Sequence, residues 1–370
     1  MMKNVQNYIP LCWVGYNRLL ACNRKSQLII HDLNDDSKNV ICPLPLTAKE
    51  RFFMHFNLSA RAMRLVNFTS CLIDGNRILV AYRSVVYLVD LVAKNLRVLF
   101  RIDKGKRPLF FCYVKEETSH IKAGIYYGDY CGNRDKNPIN IYYVDRVTFE
   151  KKIIYTFEKG IVNHIHNIVY DKSRDCMWVF SGDFGDAAAI WRTNDGFKTV
   201  ECVLKGNQDY RADVVTLHGG DIWYATDAPF APNHLMRLYE NEKGGWQVEK
   251  VSALNGPVIY GGKMGENMVF STDVESDGTY KNRFDSLTSR KLGEGIKDYY
   301  AYLYTLDLRT KELKIVYQCK KDCLPFVVFQ FGAIMFPHGE CDGTFIPAFH
   351  VALNKHQLKT MMIKYDGNTD

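Results

Sequence analysis

Residues 164–205 read HIHNIVYDKSRDCMWVFSGDFGDAAAIWRTNDGFKTVECVLK. Four short β-prone runs are visible in it: HIHNIVY, MWVFSGD, AAIWRT and TVECVL, separated by polar or Gly-containing turns. Four strands in about 45 residues, with no amphipathic helix between them, is the signature of one propeller blade. The same unit recurs along the chain. Its second strand is the clearest marker: LLACNRK at 19–25, ILVAYRS at 78–84, GIYYGDY at 124–130, MWVFSGD at 177–183, IWYATDA at 222–228, MVFSTDV at 268–274 and FIPAFHV at 345–351. First strands precede them as RAMRLVNF, PLFFCYV, HIHNIVY, RADVVTL, NGPVIYG and FQFGAIMF. Inner strands buried on both faces are expected to read as near-continuous apolar runs rather than strict alternation. The chain is therefore expected to be all-β, a single β-propeller over 1–370 with seven four-stranded blades. Six blades behind an irregular N-terminal extension is the alternative. Two stretches break the period, 131–138 and 276–299, and both follow a second strand.

Composition agrees. The 370 residues are 47% hydrophobic and 24% charged, as in a globular chain with a large core, and 23 Tyr and 21 Phe favour strands. The net charge of +7 is not gathered into a basic run, so nucleic acid is not expected as a partner. An anionic small ligand suits the same excess. No stretch of 18 apolar residues predicts a membrane span. The start of the chain carries no apolar signal segment, which predicts a cytoplasmic location. The 11 Cys are scattered and mostly in apolar runs, as buried thiols in a reducing compartment would be; Cys319 and Cys323 form the one close pair.

In a propeller the start of the first strand and the end of the second lie on the same face. The first-strand starts carry Arg61, Arg64, Arg107, His164, His166, Arg211 and Asn255. The second-strand ends carry Arg83, Asp129, Tyr130, Asp183, Asp227, Asp273 and Glu275. One face should thus hold a polar funnel ringed by cations, imidazoles and carboxylates, with both insertions above it. His164 and His166, two apart on a strand, should point the same way. With Asp183 they could ligate a divalent metal, the one cofactor the sequence suggests, or serve as a base. His164, His166, Asp183, Arg211 and Glu275 are the catalytic candidates. Arg61, Arg107, Asp129, Tyr130, Asp227 and Asp273 are the ligand-binding candidates.

The segment Thr193–Val200, TNDGFKTV, resembles the Asp-box S/T-x-D-x-G-x-T-W of sialidase-type propellers, with Phe197 in place of the Gly and Val200 in place of the Trp. With YGDYCGN, HIHNIVYD, WVFSGD, NQDYRADVV, WYATDAP, LNGPVIYG and STDVE, the stretch 126–275 is similar to bacterial sialidase-like (BNR-repeat) proteins. That resemblance implies carbohydrate chemistry. Arg61, Arg107 and Arg211 could imitate the sialidase Arg set, but no Tyr–Glu nucleophile pair is matched. The mix of Arg211, His164, His166 and Tyr130 suits the Arg-with-His-or-Tyr chemistry of propeller polysaccharide lyases equally well. The expected activity is on an anionic oligo- or polysaccharide, as glycoside hydrolase or polysaccharide lyase. A non-catalytic propeller binding carbohydrate or protein is the alternative, and the oligomeric state is left open.

Overall fold

The computed structural model describes residues 3–365. Seven separate four-stranded antiparallel sheets are arranged around one axis. In chain order, blade I comprises strands Tyr8–Gly15, Arg18–Asn23, Gln27–Asp32 and Ser37–Pro43. Blade II runs from Phe68–Leu72 to Asn95–Arg101, and blade III from Cys112–Val114 to Lys151–Phe157. Blade IV comprises His164–Asp171, Cys176–Gly182, Ala189–Thr193 and Glu201–Lys205. Blade V runs from Ala212–His218 to Trp246–Leu254, and blade VI from Tyr260–Met264 to Leu313–Lys320.

Blade VII is built from both ends of the chain. Ala333–Met335, Phe345–Val351 and Thr360–Lys364 supply three strands, and Lys3–Gln6 adds the outermost one. Lys3 lies opposite Ile363 and Gln6 opposite Thr360. This pairing closes the ring and resolves the blade count as seven: the N-terminal segment contributes a strand to blade VII and then a full blade of its own.

Burial explains the strand grammar. All seven residues of Cys176–Gly182 are buried, whereas the outer strand Lys151–Phe157 is mostly exposed or half-buried. Apolar clusters bridge neighbouring blades. Trp178 and Phe180 of blade IV pack with Ile222 and Tyr224 of blade V. The hairpin between His218 and Asp221 uses Gly219 and Gly220, both at positive φ, as a two-residue turn requires.

One local expectation is corrected. RAMRLVNF does not begin a strand at Arg61: helices Ala48–Met54 and Asn57–Ala62 join blades I and II, and the strand starts at Phe68. A Thr47–Glu50 capping box starts the first of them. The insertion at 276–299 carries a short helix, Arg283–Thr288.

Candidate functional site

Blades IV and V deliver the site, and each does so through a β-bulge. In His164–Asp171, Ile165 pairs with Ser181 and Asn167 with Phe180, so His166 is the extra residue. In Ala212–His218 the register jumps between Ala212 and Val215, which frees Asp213 from the ladder. A bulge re-aims a side chain, and both bulges lie at the axial ends of first strands. Gly182 completes the seat of His166. A Cβ on Gly182 would stand 2.4 Å from its Cε1 and Nε2.

The imidazoles of His164 and His166 stack with centroids 4.9 Å apart, and their Nε2 atoms are 3.0 Å apart. Asp183 Oδ1 lies 3.2 Å from His164 Nε2, 3.5 Å from His166 Nε2 and 3.1 Å from Arg211 Nη2. Arg211 also grips Asp227 Oδ2 through Nη2 at 2.7 Å and Nε at 3.0 Å. On the far side, His166 Nδ1 faces Asp213 Oδ1 at 3.4 Å. His164 Nδ1 donates to the carbonyl of Cys131 at 2.7 Å, which fixes the ring so that Nε2 points at Asp183 and His166.

The electrostatics follow from burial. Burial alone would push the Asp183 carboxyl up, but hydrogen bonds from His164 and His166 and the charge of Arg211 hold it well below the usual carboxylate range. Burial pushes His166 down, so the ring stays neutral despite Asp183. Burial and Asp227 push Asp213 well up, against the pull of Arg211. Asp273 is raised by burial and then by Glu275 and Asp227. Glu275 is pushed up to about 8 by burial and by Asp227, with Arg211 opposing. Oxygens of Asp213, Asp227, Asp273 and Glu275 have no hydrogen-bond partner among the described residues. Four carboxyls, those of Asp183, Asp213, Asp227 and Glu275, thus share one guanidinium.

This donor set fits a divalent cation. His164, His166 and Asp183 place one ligand atom each within 4.8 Å of one another, and so do His166, Asp213 and Asp227. Two nitrogens each about 2.1 Å from one ion stand roughly 3 Å apart, as the two Nε2 atoms do. In the first set the outward nitrogens face a carbonyl and a carboxylate, the arrangement that orients metal-bound imidazoles.

Beside this centre is a cavity of about 610 Å³. Arg64, Arg83, Lys106 and Arg107 line it, together with Tyr130, Tyr260 and Asp273. Tyr130 is the shared wall: its ring lies 4.4 Å from that of His164, and Arg107 sits over it at 5.3 Å. Burial, followed by the charge of Asp213, pushes the Tyr130 phenol up, so it stays protonated.

His164, His166, Asp183, Arg211, Asp227 and Tyr130 therefore meet, Asp273 and Glu275 adjoin them, and Arg107 reaches the cavity. Two candidates are paired away from the His164–His166–Asp183 centre. Arg61 is buried in its helix, where it binds Asp322 and the carbonyl of Phe329. Asp129 is buried against Lys106 at 2.9 Å. Sequence reasoning missed Lys106 and Asp213. Arg211-x-Asp213 repeats the spacing of His164-x-His166, which was the available signal. The turn at Thr193–Val200 lies at the opposite ends of the strands, with Asp195 accepting from Thr199 N at 3.0 Å and Thr199 Oγ1 at 2.7 Å. It braces a turn and takes no part in the site.

No protein-family profile matches the sequence, and no curated protein matches it. The fold is similar to that of solved structures. An oligogalacturonate lyase in complex with manganese aligns over 98% of this chain and 90% of its own, with a TM-score of 0.61 at 11% identity. An oligogalacturonate lyase from Vibrio parahaemolyticus aligns over 98% and 91%, with a TM-score of 0.58 at 11% identity. At that identity the likeness is one of fold. All 11 cysteines are free thiols, and no helix among the described residues is long and apolar enough to cross a membrane. The chain is a seven-bladed β-propeller resembling oligogalacturonate lyase.

Proposed function

We propose that this propeller is a lyase for uronate-containing oligosaccharides, working with a divalent cation held by His164, His166 and Asp183. The observation that carries the reading is the imidazole pair clamped by Asp183 and Arg211 beside a cavity lined by four cationic side chains. The binding of manganese by a lyase of the same fold supports it.

β-Elimination removes the proton on the carbon next to the uronate carboxylate, breaks the adjacent C–O bond to the leaving sugar and forms a C=C bond. The proton is acidic only if the carboxylate charge is neutralised. Arg107 and Arg64 supply cationic groups at the cavity wall. A divalent cation, when bound, would add charge to the same carboxylate. His164 and His166 would hold the cation through Nε2 with Asp183 beside them, and Asp227, whose Oδ1 has no hydrogen-bond partner among the described residues, is the candidate base for the proton. Arg211, spent on Asp183 and Asp227, orients those carboxylates. Glu275 keeps its proton near neutral pH and is the candidate donor to the leaving oxygen.

The test is incubation with uronate oligosaccharides, with manganese and then with chelator. Ultraviolet absorbance from an unsaturated product, lost on chelation and restored by manganese, is expected. New reducing ends without that absorbance would refute the lyase reading. They would favour a glycoside hydrolase, the second reading. Binding without turnover would make the protein a carbohydrate-binding propeller.

A further inference from the structure

Phe184 and Phe230 are 49% and 40% exposed, although each directly adjoins the buried ionic centre. Phe184 follows Asp183, and Phe230 lies three residues after Asp227. Their ring centroids are 5.7 Å apart with planes at 43°, which forms a shallow V of two aromatic faces. The Arg211 guanidinium covers one side of Phe184 at 5.3 Å, so the solvent side is the free one.

These rings are held in place. The Phe230 loop is built on Asn233, whose buried side chain accepts from Ala228 N at 2.9 Å and donates to the carbonyls of Ala228, Ala231 and Gly295. Gly295 belongs to the return leg of the 276–299 insertion, and its N–H donates to Pro229 O at 3.0 Å. A Cβ on Gly295 would lie 2.2 Å from the carbonyls of Ala228 and Ala231, so only glycine permits this approach. At its other end the insertion touches the ring itself, where a Cβ on Gly278 would lie 3.4 Å from Phe230 Cζ. A braced loop that holds an apolar ring in water is preorganised for a ligand with an apolar face.

We infer that Phe184 and Phe230 form a stacking platform for a pyranose ring of the oligosaccharide next to the sugar that is attacked. The inference rests on the uronate-oligosaccharide reading above and names residues that set substrate length. A pyranose has C–H faces that pack on aromatic rings, while its carboxylate and hydroxyls stay toward the cations and water. The platform continues directly from Asp183 and Arg211 and spans two rings, the scale of one sugar rather than of a protein partner.

The experiment is steady-state kinetics on a uronate trisaccharide with the metal-loaded full chain, comparing Phe184→Ala/Phe230→Ala with Phe184→Tyr/Phe230→Tyr. The alanine variant should raise KM roughly five- to ten-fold with kcat within about threefold, and the tyrosine variant should recover most of the loss. Phe230→Trp should show a fluorescence change on titration with the trisaccharide. An alanine variant with unchanged KM overturns the platform, as does a fall in kcat at constant KM, which would mean that the rings only position Asp183. If the unmodified chain neither binds nor cleaves any uronide, the functional reading fails and the platform with it. A fall in KM performance alone can therefore be separated from that failure.

Discussion

Arg211 is the guanidinium at the centre of four carboxyl groups, and replacing it with methionine should be among the most damaging single changes at the axis. The side chain contacts Asp227 at 2.7 Å and Asp183 at 3.1 Å, and its charge also acts on Asp213 and Glu275. Those opposing charges keep Arg211 firmly protonated even though burial works against it. Removing one partner of a buried ion pair costs about 3–5 kcal/mol, because the other charge is left without compensation. A chain of this length loses only about 1–1.5 °C of Tm per kcal/mol, so Arg211→Met should lower Tm by about 4–7 °C. The loss should depend on pH. Without Arg211 the folded-state pKa values of Asp183, Asp213 and Glu275 all rise. A carboxyl raised in the folded state binds more protons there than when unfolded, so it favours folding at low pH and loses that contribution as pH rises. The deficit should therefore be largest near pH 8 and shrink toward pH 5. Adding Asp227→Asn should recover part of it, since the pair is coupled. Calorimetric unfolding of the four proteins of this cycle, at both pH values, provides the assay. A single variant within about 1 kcal/mol of wild type, with the same pH dependence, would show that Arg211 does not set the ionisation of these carboxyls.

Other outcomes follow from the same geometry. Gly182→Ala drives a methyl into the His166 ring, so manganese affinity measured by calorimetry should fall at least roughly ten-fold. An unchanged affinity would remove His166 from the metal site. Glu275, raised to about 8, contributes stability below the usual carboxylate range that is lost as pH climbs toward 8; Glu275→Gln should flatten the stability–pH profile between pH 5 and 9. The same substitution should remove the alkaline fall in kcat, and a wild-type rate that rises steadily to pH 10 would argue against a proton donor there. Deleting residues 1–6 takes away the strand paired to Thr360–Lys364 and bares that edge, so the chain should unfold at lower temperature and associate on light scattering.

How far the site was readable varies residue by residue. The strand-end carboxylates and the His164-x-His166 pair were visible because blade grammar assigns each to a face. Arg61 shows the limit. RAMRLV is apolar enough to read as a strand start, yet Arg61 and Ala62 end the short helix Asn57–Ala62 and the next four residues form a turn. Asp129 was placed on the correct face, but Lys106, which neutralises it, comes from the preceding turn and left no periodic trace. Phe184 and Phe230 passed as ordinary aromatic content until their exposure was known.

The sequence by itself determined the repeat, the all-β class and which ends of which strands share a face, because these depend on local periodicity and turn chemistry. Only the tertiary structure decided that the first strand of the chain closes the last blade, that two bulges turn His166 and Asp213 toward the axis, and that Arg211 is shared between Asp183 and Asp227. Those outcomes depend on distances across blades and on burial summed over every neighbour. A carboxylate and a guanidinium separated by many residues have no mutual energy until folding brings them within about 3 Å in a medium that no longer screens them.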